Sequence, residues 1–202
     1  GPPPRTRDGL LNRCPVEGNE AMRIGVPRES AARERRVALV PGTVSQVVKS
    51  GLEVVVEHGA GAQASFLDEA YAAAGAQVAG EAPEVLGGAD LVLKVQAPSF
   101  EETDRLREGA ALVSFLFPQR NLDLVEKLAA RKITAFAMEA VPRITRAQSM
   151  DALSSQSTIA GYKAVLRGAD AIGKMMPMMV TAAGTLRPAK VLVLGAGVAG
   201  LQ

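Results

Sequence analysis

The hydrophobic pattern from Met22 onward consists of short apolar runs that alternate with amphipathic segments. Six runs predict strands: Arg23–Val26, Leu52–Glu57, Ala89–Val95, Ala110–Phe115, Ile133–Met138 and Lys190–Leu194. Helices are predicted between the first five runs, at Pro41–Lys49, Asp68–Ala74, Glu101–Glu108 and Leu122–Arg131. Near-continuous apolar runs such as ADLVLKV and ITAFAM are typical of a parallel sheet that is covered on both faces. The alternation therefore predicts the α/β class, with a doubly wound, open and mainly parallel sheet.

A longer helical segment, SMDALSSQSTIAGYKAVLRGADAIGKM, interrupts this alternation. Ser149 is a candidate N-cap, Asp151 would lie in the first turn, and Pro177 would end the helix. The segment is predicted to bridge from the first sheet to a second one that begins at Lys190–Leu194. The methionines that follow it are predicted to fill gaps in apolar packing between domains: Met175, Met176, Met178 and Met179.

These patterns predict four regions of the chain. Residues 1–21 are rich in Pro, Gly and Arg and predict a flexible extension or tag, with a targeting peptide as the alternative. Residues 22–150 predict an α/β domain and 151–180 a linker helix. Residues 181–202 predict the truncated start of a second, nucleotide-binding domain.

Composition removes several functional classes. The net charge of +2 over 202 residues gives no support to nucleic-acid binding. A single cysteine, Cys14, excludes an internal disulfide framework. The one histidine, His58, has no G-x-S-x-G elbow and no His/Cys cluster with it, which argues against a hydrolase triad and a zinc site. No apolar run reaches about 18 residues, so the chain is not expected to cross a membrane by itself.

The loop after the fifth predicted strand carries the densest group of polar residues, in EAVPRITRAQSMDALSSQ. In an open parallel sheet, ligands bind outside the carboxyl ends of the strands. Arg suits phosphate, Gln suits a carboxamide, and Asp suits a ribose diol or a fixed Arg. The loop is therefore predicted to bind a ligand through residues of these types: Arg143, Arg146, Gln148, Ser149, Asp151, Ser154, Ser155 and Gln156.

Other strand ends offer fewer candidates. Arg36 stands before the apolar VALV and could bind an anion or belong to a solvated loop. Lys94 ends an apolar strand and is predicted to face a cleft, because burying its charge would otherwise be costly. The segment FLFPQRN after the fourth strand has no titratable group before Arg120, so it offers no acid or base.

The last predicted strand leads into Gly195, Gly197 and Gly200 in G-x-G-x-x-G spacing. This spacing after a strand is typical of the turn that binds the pyrophosphate of a dinucleotide, although the motif alone is weakly specific.

Four segments together resemble the N-terminal region of the alanine dehydrogenase and pyridine nucleotide transhydrogenase family. They are MRIGVPRE…RRVALVP, ADLVLKVQAP, PRITRAQSMDALSSQ…IAGYKAV and KVLVLGAGVAGLQ, so the resemblance spans Met22 to Gln202. The string RAQSMDALSSQ resembles the transhydrogenase α chain in particular. Alanine dehydrogenases carry an acid–base histidine after the fourth strand, where this chain has Phe117-Pro118.

The resemblance implies an NAD(H)-binding component of a proton-translocating NAD(P) transhydrogenase, in which hydride passes directly between NAD(H) and NADP(H). It implies Arg143, Gln148 and Asp151 as catalytic residues that with Ser154 hold the nicotinamide end of NAD(H), and Gly195, Gly197 and Gly200 as the pyrophosphate turn. It places Arg36 and Lys94 where alanine dehydrogenases hold a keto acid. No metal is implied.

The family also implies a homodimer with two partners, an NADP(H)-binding component and a transmembrane proton channel. It implies a peripheral position on the cytoplasmic side of the bacterial inner membrane, or in the mitochondrial matrix of a eukaryote. This chain is expected to be an incomplete fragment that is inactive alone. The alternatives are an alanine dehydrogenase-like oxidoreductase, and a non-catalytic dimerisation or docking module.

Overall fold

The computed structural model describes residues 21–202, so the predicted extension at 1–21 and Cys14 lie outside the described residues except for Ala21. The described chain divides into two compact units. The first runs to Leu93 and includes Asp104–Ala110; the second comprises Lys94–Thr103 and Ala111–Gln202.

Six strands form a sheet in the order β3-β2-β1-β4-β5-β6. They are β1 Arg23–Val26, β2 Glu53–Glu57, β3 Gln77–Ala79, β4 Leu91–Leu93, β5 Ala111–Ser114 and β6 Thr134–Ala137. The pairs β1–β2, β1–β4, β2–β3 and β5–β6 are all parallel. This is the strand order of a dinucleotide-binding doubly wound fold, and it confirms the predicted fold class.

Helices follow the strands in sequence, as the apolar periodicity predicts. They are α1 Pro41–Lys49, α2 Asp68–Ala73, α3 Ala82–Gly88, α4 Phe100–Arg105, α5 Leu122–Ala130, α6 Ala152–Ala171 and α7 Val198–Leu201. Proline at the first position of α1 costs no helical hydrogen bond, because the first N–H groups of a helix have no partner within it. The bounds of α1 agree with the prediction.

The core of the first unit is built from β1, β2 and the helices that cover them. Val26, Val44 and Val56 are fully buried, and the Tyr71 hydroxyl donates to the Leu39 carbonyl at 3.0 Å. A Cβ on Gly25 would lie 2.8 Å from the Val85 carbonyl oxygen, so β1 tolerates only glycine where α3 crosses it.

In the second unit, β5 is buried and β6 is the edge strand. Leu112 and Ser114 of β5 are inaccessible, whereas Phe136 of β6 is 55% exposed. The prediction that ITAFAM is covered on both faces is therefore wrong for β6. An edge strand has a neighbour on one side alone, and its apolar side chains are covered only where another element packs on them.

Some expected elements differ from those observed. Strand β3 and helix α3 were not predicted, because each is too short to show a period. A hairpin, β7 Met179–Thr181 with β8 Gly184–Leu186, occupies the region assigned to methionine packing, and Met175 and Met178 are exposed. Those methionines therefore do not fill a core among residues 21–202.

The predicted strand Lys190–Leu194 is not formed. The segment has no regular structure, and Leu192 and Leu194 are 82% and 88% exposed. A strand requires a neighbour that accepts and donates its backbone hydrogen bonds, and no strand among residues 21–202 pairs with this one. The apolar composition is that of a buried strand, but the partner that would bury it is not among the described elements.

Candidate functional site

The segment between β6 and α6 contains the predicted binding loop, entirely within the second unit. Two short 3-10 helices, Met138–Ala140 and Thr145–Met150, lie between the strand and the helix. In the second of them Ala147 is buried, while the residues on either side, Arg146 and Gln148, are exposed. A small apolar anchor thus holds the loop on the protein and turns the polar side chains outward.

Asp151 caps α6. Its Oδ1 accepts the Ser154 N–H at 2.9 Å, and its Oδ2 accepts the Ser154 hydroxyl at 2.6 Å. The prediction that Ser149 caps this helix is wrong: Ser149 belongs to the preceding 3-10 helix, and α6 begins after Asp151. The helix also ends at Ala171, before Gly173, rather than close to Pro177.

The same hydrogen bonds hold Asp151 ionised. The Ser154 hydroxyl and then the Ser154 N–H lower the pKa of this carboxyl below its usual value, and the positive charge of Arg143 lowers it further. Arg143 and Asp151 are therefore close enough to interact. The exposed Arg143 and Gln148 are donors, and Asp151 is an anion beside one of them.

The glycines of the fingerprint lie around the start of α7. Gly195 has a φ of +109°, which side chains other than glycine rarely adopt. A Cβ on Gly200 would lie 2.1 Å from the Gly195 carbonyl oxygen, so the first and third glycines touch. Gly197 stands immediately before α7 in extended conformation.

Gly161, which the sequence reasoning missed, brings the capped helix and the fingerprint together. It is buried in α6, and a Cβ on it would lie 2.3 Å from the Ala199 carbonyl oxygen in α7. Backbone therefore packs on backbone at this point. At 1.5 Å per residue, the crossing lies about 14 Å along α6 from its first residue. An isolated glycine inside a helical pattern was the available signal, because it costs helix stability unless packing requires it.

Lys94 and Arg36 both have carboxylate partners. The Lys94 side chain is 1% exposed, and its Nζ lies 2.8 Å from Glu102 Oε1. Glu102 Oε2 accepts the Ser99 N–H at 2.7 Å, and the Ser99 Oγ accepts the Glu102 N–H in return, a capping box at the start of α4. The cost of burying the ammonium is thus met by Glu102 and not by an open cleft. Arg36 pairs with Glu34 at 2.7 Å, which raises the pKa of the guanidinium.

Glu139 is a second residue that the sequence reasoning missed. It lies in the 3-10 helix after β6, yet its carboxylate accepts the N–H groups of Leu116 and Phe117 after β5. The FLFPQRN segment therefore has a titratable neighbour that its own sequence does not supply. The signal was available, because the carboxyl ends of adjacent parallel strands meet at one edge of a sheet.

No cluster of three or more metal-binding side chains occurs in residues 21–202. Over the same residues, no helix combines the length and hydrophobicity that spanning a bilayer requires. His58 is exposed and lies 2.6 Å from Asp68.

Two family models match the chain: the alanine dehydrogenase/PNT N-terminal domain over residues 25–160 and the C-terminal domain of the same family over residues 164–202. An NAD(P) transhydrogenase alpha subunit of Rhodospirillum rubrum is 53% identical over 186 residues, which are 90% of this chain and 48% of that protein.

Solved structures agree with this assignment. The transhydrogenase from Sinorhizobium meliloti is similar with a TM-score of 0.86 and 44% identity, over 89% of this chain and 51% of that one. An L-alanine dehydrogenase is similar with a TM-score of 0.77 and 32% identity, over 89% and 50%. The chain thus spans about half the length of each of these relatives. It belongs to the alanine dehydrogenase/PNT family, and among these relatives it is more similar to the transhydrogenases than to the alanine dehydrogenase.

Proposed function

We propose that these residues form the beginning of the NAD(H)-binding component of a proton-translocating NAD(P) transhydrogenase. The observation that carries the proposal is the loop between β6 and α6. It holds an ionised Asp151 on the helix cap beside Arg143, and it exposes Arg143 and Gln148. The 53% identity to the Rhodospirillum rubrum subunit supports the same choice.

The donor set fits NAD(H). Arg143 and Gln148 can donate to a carboxamide or a phosphate, and Asp151 and Ser154 can accept from a ribose hydroxyl. Gly195, Gly197 and Gly200 leave room for the close approach of a pyrophosphate. Through Gly161, α6 connects the two groups of residues, so one helix would set the distance between the two ends of the cofactor.

When bound, the cofactor supplies the hydride, and the protein is left with orientation. Direct transfer between two rings needs them fixed at near-contact distance and does not need a protein acid or base. Arg143 and Gln148 would fix the carboxamide, and Asp151 would hold the Arg143 guanidinium in place. The aromatic ring of Phe117, at the end of β5, cannot exchange a proton, which suits hydride transfer and does not suit oxidative deamination.

The proposal includes the partners and the division of the chain. Residues 22–150 would be the N-terminal domain, 151–180 a linker helix and 181–202 the beginning of the NAD-binding domain. The component would form a homodimer and act with an NADP(H)-binding component and a transmembrane proton channel. Its position would be peripheral, on the cytoplasmic side of the bacterial inner membrane or in the mitochondrial matrix.

A chimera tests the proposal. Residues 22–202 would replace the aligned region of the Rhodospirillum rubrum subunit, whose remaining half completes the component. With a separately prepared NADP(H)-binding component, reduction of a spectrally distinct NAD analogue would be followed. Arg143→Ala and Gln148→Ala are expected to lower turnover sharply, while Arg167→Ala, an exposed arginine on α6, is expected to leave it unchanged.

Two outcomes would contradict the proposal. Equal turnover in Arg143→Ala and Arg167→Ala would remove the loop from the site. A chimera that transfers no hydride to or from NADP(H), but reduces pyruvate with ammonia and NADH, would be an alanine dehydrogenase instead.

A further inference from the structure

Glu139 joins the ends of two neighbouring strands through its side chain. Its Oε2 accepts the Leu116 N–H at 3.1 Å, and its Oε1 accepts the Phe117 N–H at 2.5 Å. Leu116 and Phe117 follow β5, whereas Glu139 itself follows β6. Both oxygens of one half-buried carboxylate are thus committed to the backbone of another loop.

The backbone that Glu139 holds is strained. Phe117 has a φ of +45°, a conformation that is unfavourable for an aromatic residue. Its ring is 40% exposed, so burial of the ring does not account for this conformation. The turn is closed by further hydrogen bonds, from Asn121 Nδ2 to the Leu116 carbonyl at 2.7 Å and from the Arg120 N–H to the Phe117 carbonyl at 2.8 Å. Strain of this kind persists where the surrounding contacts fix the backbone.

Glu139 also stands at the start of the candidate binding loop. The 3-10 helix Met138–Ala140 packs against α6, the helix that Asp151 caps. Val141 then begins the segment that carries Arg143 and Gln148. The first residues of this segment are therefore held from two sides, by α6 and by the β5 turn. A cavity of about 290 Å³ lies between the turn and Glu139, lined by Phe117–Arg120, Glu139 and Ala140.

We infer that Glu139 is a positioning residue for the loop that holds NAD(H). Its carboxylate ties the beginning of the loop to the strained Phe117 turn, and this tie sets where Arg143 and Gln148 stand. The inference rests on the proposed function for the identity of the ligand. It assigns Glu139 to the backbone of the β5 turn and not to proton transfer.

The first test needs no catalytic activity. Amide hydrogen exchange in the 202-residue chain would be compared between the parent, Glu139→Ala and a control, Glu126→Ala, an exposed glutamate on α5. Glu139→Ala is expected to speed exchange at Leu116 and Phe117 and through residues 141–151, while β1 and β2 keep the rates of the parent. Acceleration confined to Leu116 and Phe117 would overturn the inference.

The second test uses the chimera and a rescue. Glu139→Ala is expected to lower kcat/KM for NADH roughly ten- to a hundredfold, because small displacements of positioning groups are costly. Glycine adopts a positive φ without strain, so adding Phe117→Gly to Glu139→Ala is expected to restore part of the loss. The conservative Glu139→Gln, which keeps one acceptor oxygen, is expected to fall between and to serve if the alanine variant does not fold.

The outcomes separate the two hypotheses. Unchanged kcat/KM in Glu139→Ala, or a loss that Phe117→Gly does not reduce, would overturn the positioning role. A Glu139→Gln variant as impaired as Glu139→Ala, with the acidic limb of its pH–rate profile gone, would show proton transfer instead. If the parent chimera transfers no hydride with NADP(H), the proposed function fails, and the exchange experiment still decides whether Glu139 fixes the loop.

Discussion

Asp151 commits both carboxylate oxygens to Ser154, one to its N–H at 2.9 Å and the other to its hydroxyl at 2.6 Å. This pair begins the 20-residue helix α6 and fixes the anion beside Arg143. A side chain predicted to touch a ligand is therefore also the cap of the helix that carries the loop, and substitutions can separate the two roles.

Asp151→Ala should lower the stability of α6, because the cap is lost, whereas Asp151→Asn should retain most of it, because asparagine caps helices about as well as aspartate. Both should weaken NADH binding in the chimera, since neither keeps the negative charge beside Arg143. Urea unfolding of the 202-residue chain, with far-ultraviolet circular dichroism, measures the first effect. Asp170→Ala, near the C-terminus of α6, is the control and should not destabilise the helix. Equal stability of Asp151→Ala and the parent would contradict the cap.

The stabilisation by Asp151 should depend on pH with a defined sign. Its pKa is lowered on folding from the ordinary value of 3.8, so the folded protein binds the proton less readily than the unfolded chain. The contribution is thus fully present above the unfolded pKa and is lost as the pH falls through the lower, folded pKa. The difference in urea midpoint between the parent and Asp151→Asn should be constant at neutral pH and shrink below about pH 3.8. A difference that grows on acidification would show the opposite shift.

Gly161→Ala should weaken the packing of α7 on α6. The new Cβ would meet the Ala199 carbonyl oxygen at 2.3 Å, and backbone would have to move. Gly168→Ala is a matched control on the same helix, since a Cβ there meets nothing within 4 Å. Alanine is favoured over glycine in a helix by about 1 kcal/mol, so the control should be as stable as the parent or more stable. Urea unfolding of both variants, and NADH affinity in the chimera, check the prediction. Identical effects of the two substitutions would mean that α7 does not pack at Gly161.

Lys94→Met should destabilise the fold by about 3–5 kcal/mol, because it leaves the buried carboxylate of Glu102 without its cation. Lys49→Met, at an exposed position in the last turn of α1, is the control and should change stability little. Urea unfolding measures both. A Lys94→Met chain as stable as the parent, but with altered kinetics in the chimera, would return Lys94 to the role that the resemblance to alanine dehydrogenases implies.

The sequence by itself determined the elements whose information is local. The strands around Val26, Val56 and Leu112 and the helix Pro41–Lys49 follow from apolar periodicity and from a proline at the first helical position. The polar loop around Gln148 could be located because it lies at a strand end. These features depend on residues a few positions apart, and the chain order displays them directly.

The tertiary structure decided what depends on distant partners. The Glu139 carboxylate meets Phe117, Gly161 meets Ala199, and Lys94 is neutralised by Glu102, whose place on α4 the chain order does not reveal. The run Lys190–Leu194 shows the converse: its composition is that of a strand, yet it forms none among the described residues. A strand, a cap or a buried ion pair is stable only when its partner is in place, and partners are brought together by the fold.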